Sequence, residues 1–177
     1  MQIALSLKAL LVAALVVAAN AVVAQTTSAM RAGDVAVGDG VRIHYVDGGD
    51  AKSSTTILFV PGWSMSSAVW RDQMLAFAAT ARVVSIDPRS QGQSTITTRS
   101  NTPEQRAQDL HQVIQSLALR NIVLVGWSQG VQDVAAYAAA FAGSAISRYV
   151  LVDAAVGAGA AESLAHPGAL QQQLDRL

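Results

Sequence analysis

A β-branched run, Ile122-Val123-Leu124-Val125, breaks into Gly126-Trp127-Ser128-Gln129-Gly130, which places one serine between two glycines. A serine hydroxyl is a poor nucleophile unless the backbone holds it out toward a base. Glycines two before and two after it are what a sharp strand-to-helix turn requires. Ser128 is therefore the candidate nucleophile; the competing reading is a turn serine that caps the following helix. Two further segments follow β-branched or apolar runs: Pro61-Gly62-Trp63, and Asp87-Pro88-Arg89 leading to Gly92 and Ser94. Of the three histidines, His44 and His111 precede the serine turn and His166 follows it, while Asp153 closes the run Tyr149-Val150-Leu151-Val152. The chain contains no cysteine, which excludes a disulfide framework, a thiolate metal site and a cysteine nucleophile.

These residues need a scaffold. Among 177 residues 51% are apolar, enough to fill one core, and the 12 basic and 12 acidic side chains leave no positive excess to hold a phosphate backbone. Nucleic acid is not expected as a partner. Residues 1–24 read as a signal peptide, with Lys8 before an apolar run at 9–19 and small residues at Ala21 and Ala24. Cleavage is expected before Gln25, with export to the periplasm or beyond; an uncleaved anchor is the alternative and the one expected route to a membrane. Residues 25–33 read as a polar linker. Strands are expected at 34–38 and 41–47, joined by Gly38-Asp39-Gly40, then at 55–60, 82–86, 122–125 and 148–153. Helices are expected at 67–79, from Pro103 behind a Thr102 cap, at 129–141 and at 169–177. The helix after Thr102 carries Ala107, Leu110, Val113, Ile114 and Leu117 on one face. Alternating strands followed by fully apolar strands separated by helices imply an α/β fold: a mixed, mostly parallel sheet with helices on both faces.

The order of strand, Pro61-Gly62-Trp63, helix, strand, Asp87-Pro88-Arg89 loop, helix, strand, Gly126-x-Ser128-x-Gly130, helix, strand resembles the α/β-hydrolase superfamily. It is most similar to single-domain bacterial esterases and the cofactor-free haloperoxidase-like enzymes. The resemblance implies a domain over 34–177, with a cap starting near residue 154, and an activity on carboxylic esters or related small acyl substrates without metal or cofactor. It makes Ser128 the nucleophile and assigns the oxyanion-binding backbone N–H groups to Gln129 and Trp63, where many relatives have His-Gly in place of Pro61-Gly62. Trp63 and Trp127 are candidate walls of an acyl pocket, core packing being the alternative for Trp127. The Asp87 loop is expected to be a hydrogen-bonded turn at the pocket rim. In this superfamily the catalytic acid and histidine follow the serine in the chain. Asp153 and His166 are the candidates in that order, and the strands that carry acid and histidine in relatives are expected to be missing, so that the fold is C-terminally incomplete. His44 and His111 are expected to be structural. The rival function is a non-catalytic binding protein that keeps the pocket without turnover; no oligomeric state is implied.

Overall fold

The computed structural model describes residues 29–153 apart from residues 142 and 144. The expected signal segment, residues 25–28 of the linker, His166, the start of the cap and the helix at 169–177 lie outside the described residues.

Each expected strand forms: β1 (Arg31–Ala36), β2 (Arg42–Gly48), β3 (Thr56–Val60), β4 (Arg82–Ile86), β5 (Ile122–Trp127) and β6 (Ile146–Val152). They form one sheet in the order β1-β2-β4-β3-β5-β6. β2 runs antiparallel to β1 and β4, and β4, β3, β5 and β6 are mutually parallel, as the sequence pattern implies. Two strands start two or more residues earlier than expected. β1 starts at Arg31, inside the segment read as linker, because residues 31–33 pair with 45–47 of β2 although Arg31 is charged and Ala32 and Gly33 are small. β6 starts at Ile146, two residues early. The hairpin turn is as expected, with Gly38, Asp39 and Gly40 all at positive φ.

Among the described residues, three α-helices connect the strands: α1 (Arg71–Phe77), α2 (Pro103–Ser116) and α3 (Gln129–Ala140). The helix expected at 67–79 is split. Asp87 takes the Ser67 N–H and the Ser66 hydroxyl takes that of Ala68, so Ser67–Trp70 winds as a 3-10 turn before α1 begins. Thr102 caps α2 by accepting from the Gln105 N–H, with Pro103 in the first turn. Hydrogen bonds, first from its own backbone N–H and then from Thr102, hold the exposed Glu104 carboxylate below its ordinary range.

Alternation along the strands divides the core. Ile43, Leu58, Val60, Val84, Ile86 and Leu124 face α2 and α3, while Phe59, Val83 and Val125 face Trp70 and Met74 on the other side of the sheet. Each such side chain stabilises the fold by about 1.5–3 kcal/mol on leaving water. The predicted face of α2 is correct for Ala107, Leu110, Val113 and Ile114, but Arg106 and Asp109 are buried with it. A paired guanidinium and carboxylate joins the sheet internally, where Arg82 Nε and Nη2 donate to both oxygens of Asp47 at 3.1 and 2.7 Å.

Candidate active site

Strand register brings the chemistry-bearing segments together. β3 and β5 are parallel neighbours with Val60 opposite Gly126, so the two residues after Val60 run beside the serine turn. A Cβ placed on Gly62 would lie 3.1 Å from Ser128 Cβ and 3.6 Å from its Oγ. On the other side Val152 pairs with Trp127, and the Ser128 N–H donates to the Val152 carbonyl at 2.9 Å. The chain therefore carries Gly62-Trp63 and Asp153 to the same end of the sheet, on either side of Ser128.

Ser128 sits at φ 53°, ψ −120°, in a region that non-glycine residues rarely adopt and that costs on the order of 1–3 kcal/mol. Its side chain makes no cap hydrogen bond to α3. The helix-capping alternative is thus absent, and the hydroxyl is left for another partner. The flanking glycines are required by contact rather than by dihedral angle. A Cβ on Gly126 would fall 2.6 Å from the Gly130 carbonyl oxygen, and one on Gly130 would fall 2.5 Å from that of Val60 and 2.7 Å from that of Pro61. No side chain fits where the helix start is pressed onto β3 and β5.

The two amides expected to hold an oxyanion belong to the segments that meet here. Gln129 is the first residue of α3, so its N–H has no intrahelical acceptor, and it lies at the positive end of the helix dipole. Neither it nor the Trp63 N–H is engaged by another backbone group among the described residues. The Trp63 side chain is 67% exposed and stands clear of the core. Trp127 instead packs edge-on against Trp70, with ring centroids 6.3 Å apart, which is the core role given as its alternative. Asp153 is exposed, at φ 54°, one residue beyond the strand that holds the Ser128 N–H.

The other singled-out residues are structural. Asp87 Oδ1 accepts from the Ser67 N–H at 2.5 Å and Oδ2 from the Gln93 N–H at 2.7 Å, and Gly92 is packed so tightly on that carboxylate that no side chain fits. Ser94 Oγ donates to the Asp87 carbonyl and accepts from the His44 N–H. Asp87 thereby ties the loop to the start of the 3-10 turn, and the expectation of a hydrogen-bonded turn holds. His44 lies between Asp34 and Gln93 at 3.0 and 3.2 Å, and His111 stacks on Phe141 at 3.9 Å. None of these partners belongs to the serine turn. A cleft of about 320 Å³ lies beyond the Asp87 loop, bounded by Met30, Val46, Arg71 and Met74; Ser128, Trp63 and Gln129 do not line it.

The sequence reading missed a buried ionic cluster behind the turn. Arg89 donates from Nε and Nη2 to both oxygens of Asp109 at 2.5 and 2.6 Å. Beside it, Arg106 Nη1 lies 3.9 Å from Asp133 Oδ2, with the two side chains only 4% and 3% exposed. Burial pushes the Asp133 carboxyl up to about 7; the Arg106 guanidinium opposes this, and the Asp109 and Glu104 carboxylates add to it. The desolvation cost outweighs the attraction because the pair stands too far apart for a hydrogen bond. The visible signal in the sequence was a charge next to core positions on each helix: Arg106 beside Ala107, and Asp133 between Val131 and Val134.

Comparison with known proteins agrees with this geometry. Residues 57–176 match the Alpha/beta hydrolase family. The chain belongs to that family. It is 36% identical over 123 residues to the bifunctional esterase/perhydrolase DCH of Acinetobacter calcoaceticus, which covers 69% of this chain and 44% of that protein. It is 34% identical to a non-heme haloperoxidase of Rhodococcus erythropolis, over 68% of this chain and 43% of the relative. Among solved structures, a bromoperoxidase from Bacillus anthracis superposes with a TM-score of 0.64 at 28% identity, over 68% of this chain and 44% of the other. The chain thus spans under half the length of these relatives, and the family match over residues 57–176 contains the serine turn.

Proposed function

We propose that this α/β-hydrolase chain carries the nucleophile and oxyanion site of a serine hydrolase acting on carboxylic esters or related small acyl substrates. The observation that carries the reading is Ser128, held at a strained φ of 53° with an uncapped hydroxyl against side-chain-free Gly62. Ser128 Oγ attacks the acyl carbon, and the alkoxide oxygen that forms is held by the Gln129 and Trp63 N–H groups. Two such donors matter because loss of one typically costs about a hundred- to a thousandfold in turnover. Collapse of the intermediate expels the alcohol and leaves an acyl-serine, which water hydrolyses to the acid. Asp153 and His166 are the candidate acid and base that take the serine proton and return it to the leaving group. The similarity to an esterase/perhydrolase favours a second outcome at the same acyl-serine: attack by hydrogen peroxide in place of water, giving a peracid. Neither route calls on a metal or cofactor.

The test is labelling of the folded 177-residue chain with a fluorophosphonate, followed by peptide mapping. Modification at Ser128, lost in Ser128→Ala, is the expected result. Folded protein that stays unlabelled overturns the enzyme reading in favour of a binding protein of the same fold. Export is proposed with it, and its check is a secreted protein whose first residue is Gln25.

A further inference from the structure

Three observations converge on the gap between Arg106 and Asp133. Arg106 Nε and Nη1 and Asp133 Oδ1 are buried and have no hydrogen-bond partner among the described residues. The closest approach of the pair, 3.9 Å, is too long for a hydrogen bond. A cavity of about 10 Å³, roughly the least space that admits one water, is bounded by Arg89, Arg106, Asp109 and Asp133 and closed by apolar side chains such as Ile43 and Val60. Unpaired charged groups at this depth cost several kcal/mol unless something completes their hydrogen bonds.

We propose that Arg106 and Asp133 form a water-bridged latch between α2 and α3, a positioning element for Ser128 that works by proton exchange at Asp133. Asp133 lies one turn past Gln129, on the same face of the helix that starts at the serine. The Gln129 side-chain oxygen on that face is itself buried without a partner among the described residues. A protonated Asp133 offers an O–H to the acceptors here, such as the Gln129 oxygen, and keeps a carbonyl oxygen that accepts, through the water, from Arg106. An ionised Asp133 must instead draw in solvent, and its proton leaves through the bridging water to bulk.

The groups facing Asp133 fix the sense of the device. From α2 come Arg106, which favours the ionised form, and Glu104 and Asp109, which oppose it. Arg89, from the loop after β4, is already paired with Asp109. β5 contributes no titratable side chain, and the cavity walls from β2, β3 and β4 are Ile43, Val60 and Ile86. His111 and Tyr137 lie further along the α2–α3 interface and interact with each other. The balance places the transition near neutral pH, with the latch closed on the acid side and loosened on the alkaline side.

The part that concerns Ser128 rests on its reading as the nucleophile, so the experiment uses two readouts. Hydrogen exchange of α3 amides and fluorophosphonate labelling of Ser128 are followed in the full chain and in Asp133→Asn between about pH 5.5 and 8.5. Asparagine imitates the protonated side chain, so the two proteins match at the acid end. At the alkaline end the wild-type α3 amides exchange about tenfold faster than those of the variant, a difference of about 1.4 kcal/mol in opening. Wild-type labelling there falls about threefold below that of the variant, modest against the hundredfold that a 1 Å misplacement can cost. Arg106→Gln moves the wild-type transition to higher pH, because the guanidinium that favours ionisation is gone. An exchange ratio that does not change with pH overturns the latch. A changing exchange ratio with a constant labelling ratio overturns its positioning role. If neither protein labels while the exchange ratio still changes, the latch stands and the nucleophile reading fails. A high-resolution crystal structure with Arg106 and Asp133 in direct hydrogen-bonded contact overturns the bridging water.

Discussion

Gly130→Ala tests whether the serine turn is held by backbone-to-backbone contact. Gly130 is the second residue of α3 and is not at positive φ. On helix propensity alone, alanine there should stabilise the protein by about 1 kcal/mol. The geometry predicts the opposite. The new Cβ would lie 2.5 and 2.7 Å from two carbonyl oxygens of the β3 segment, neither of which can rotate aside. To restore ordinary contact, the start of α3 must withdraw by roughly 0.5–1 Å, and such overpacking typically costs 1–3 kcal/mol. For a chain of this size that lowers the melting temperature by roughly 2–12 °C. The same displacement carries Ser128 and the Gln129 N–H with it, so labelling at Ser128 should fall by up to about a hundredfold. Thermal unfolding and labelling rates on one preparation decide the matter. A Gly130→Ala protein as stable as wild type would refute the contact argument, and helix propensity would then be the governing term.

Gly62→Ala should behave differently. Its Cβ meets Ser128 Cβ at 3.1 Å but no backbone atom closer than 3.4 Å, so the melting temperature should stay within a few degrees while the crowded hydroxyl labels at least about tenfold more slowly. Ser128→Gly removes the proposed nucleophile and the cost of its φ of 53° together; unfolding in denaturant should show a gain of about 1 kcal/mol. His44→Gln should leave the proposed ester hydrolysis intact, because among the described residues that ring bonds Asp34 and Gln93, away from Ser128. For Asp133 the folded state holds a proton up to about pH 7, whereas the unfolded chain releases it near 3.8. Folded protein therefore binds more protons between these values, and its stability must fall as pH rises through that window and level off above it. The total is on the order of 4 kcal/mol. Asp133→Asn should flatten the slope in urea titrations across pH 4 to 8, and an unchanged slope would count against the burial argument.

The fold was legible because its signals are local and repeated. Ile57-Leu58-Phe59-Val60 and Ile122-Val123-Leu124-Val125 read as buried strands from residue type alone, and Thr102-Pro103 marks a helix start whose cap the structure shows. β1 was read late because its first residues, Arg31-Ala32-Gly33, owe their conformation to pairing with β2, which no local pattern records. The split of the first helix has the same origin: the carboxylate that takes the Ser67 N–H belongs to Asp87, twenty residues on. Trp127 illustrates a further limit, since only the sheet shows that its partner is Trp70 rather than a substrate.

What the sequence motif could not convey is why its glycines are glycines. A small residue two positions from a serine reads as freedom to turn, yet neither Gly126 nor Gly130 is at positive φ; the residue in the left-handed region is Ser128 itself. The glycines remove the atoms that would keep α3 off β3 and β5, and that close seating holds the serine in a conformation it would otherwise leave. The strain and the packing are one device. The helix dipole and the Gln129 N–H reach the serine because nothing larger than hydrogen separates Gly130 from the carbonyls of Val60 and Pro61. Asp133 belongs to the same helix and faces Arg106 of α2, so whatever alters their hydration acts on an element already seated without slack. Packing at the glycines and protonation at Asp133 should therefore couple. In the double variant Gly130→Ala with Asp133→Asn the two effects on Ser128 labelling at alkaline pH should not add, and strict additivity would mean that helix position and latch are independent.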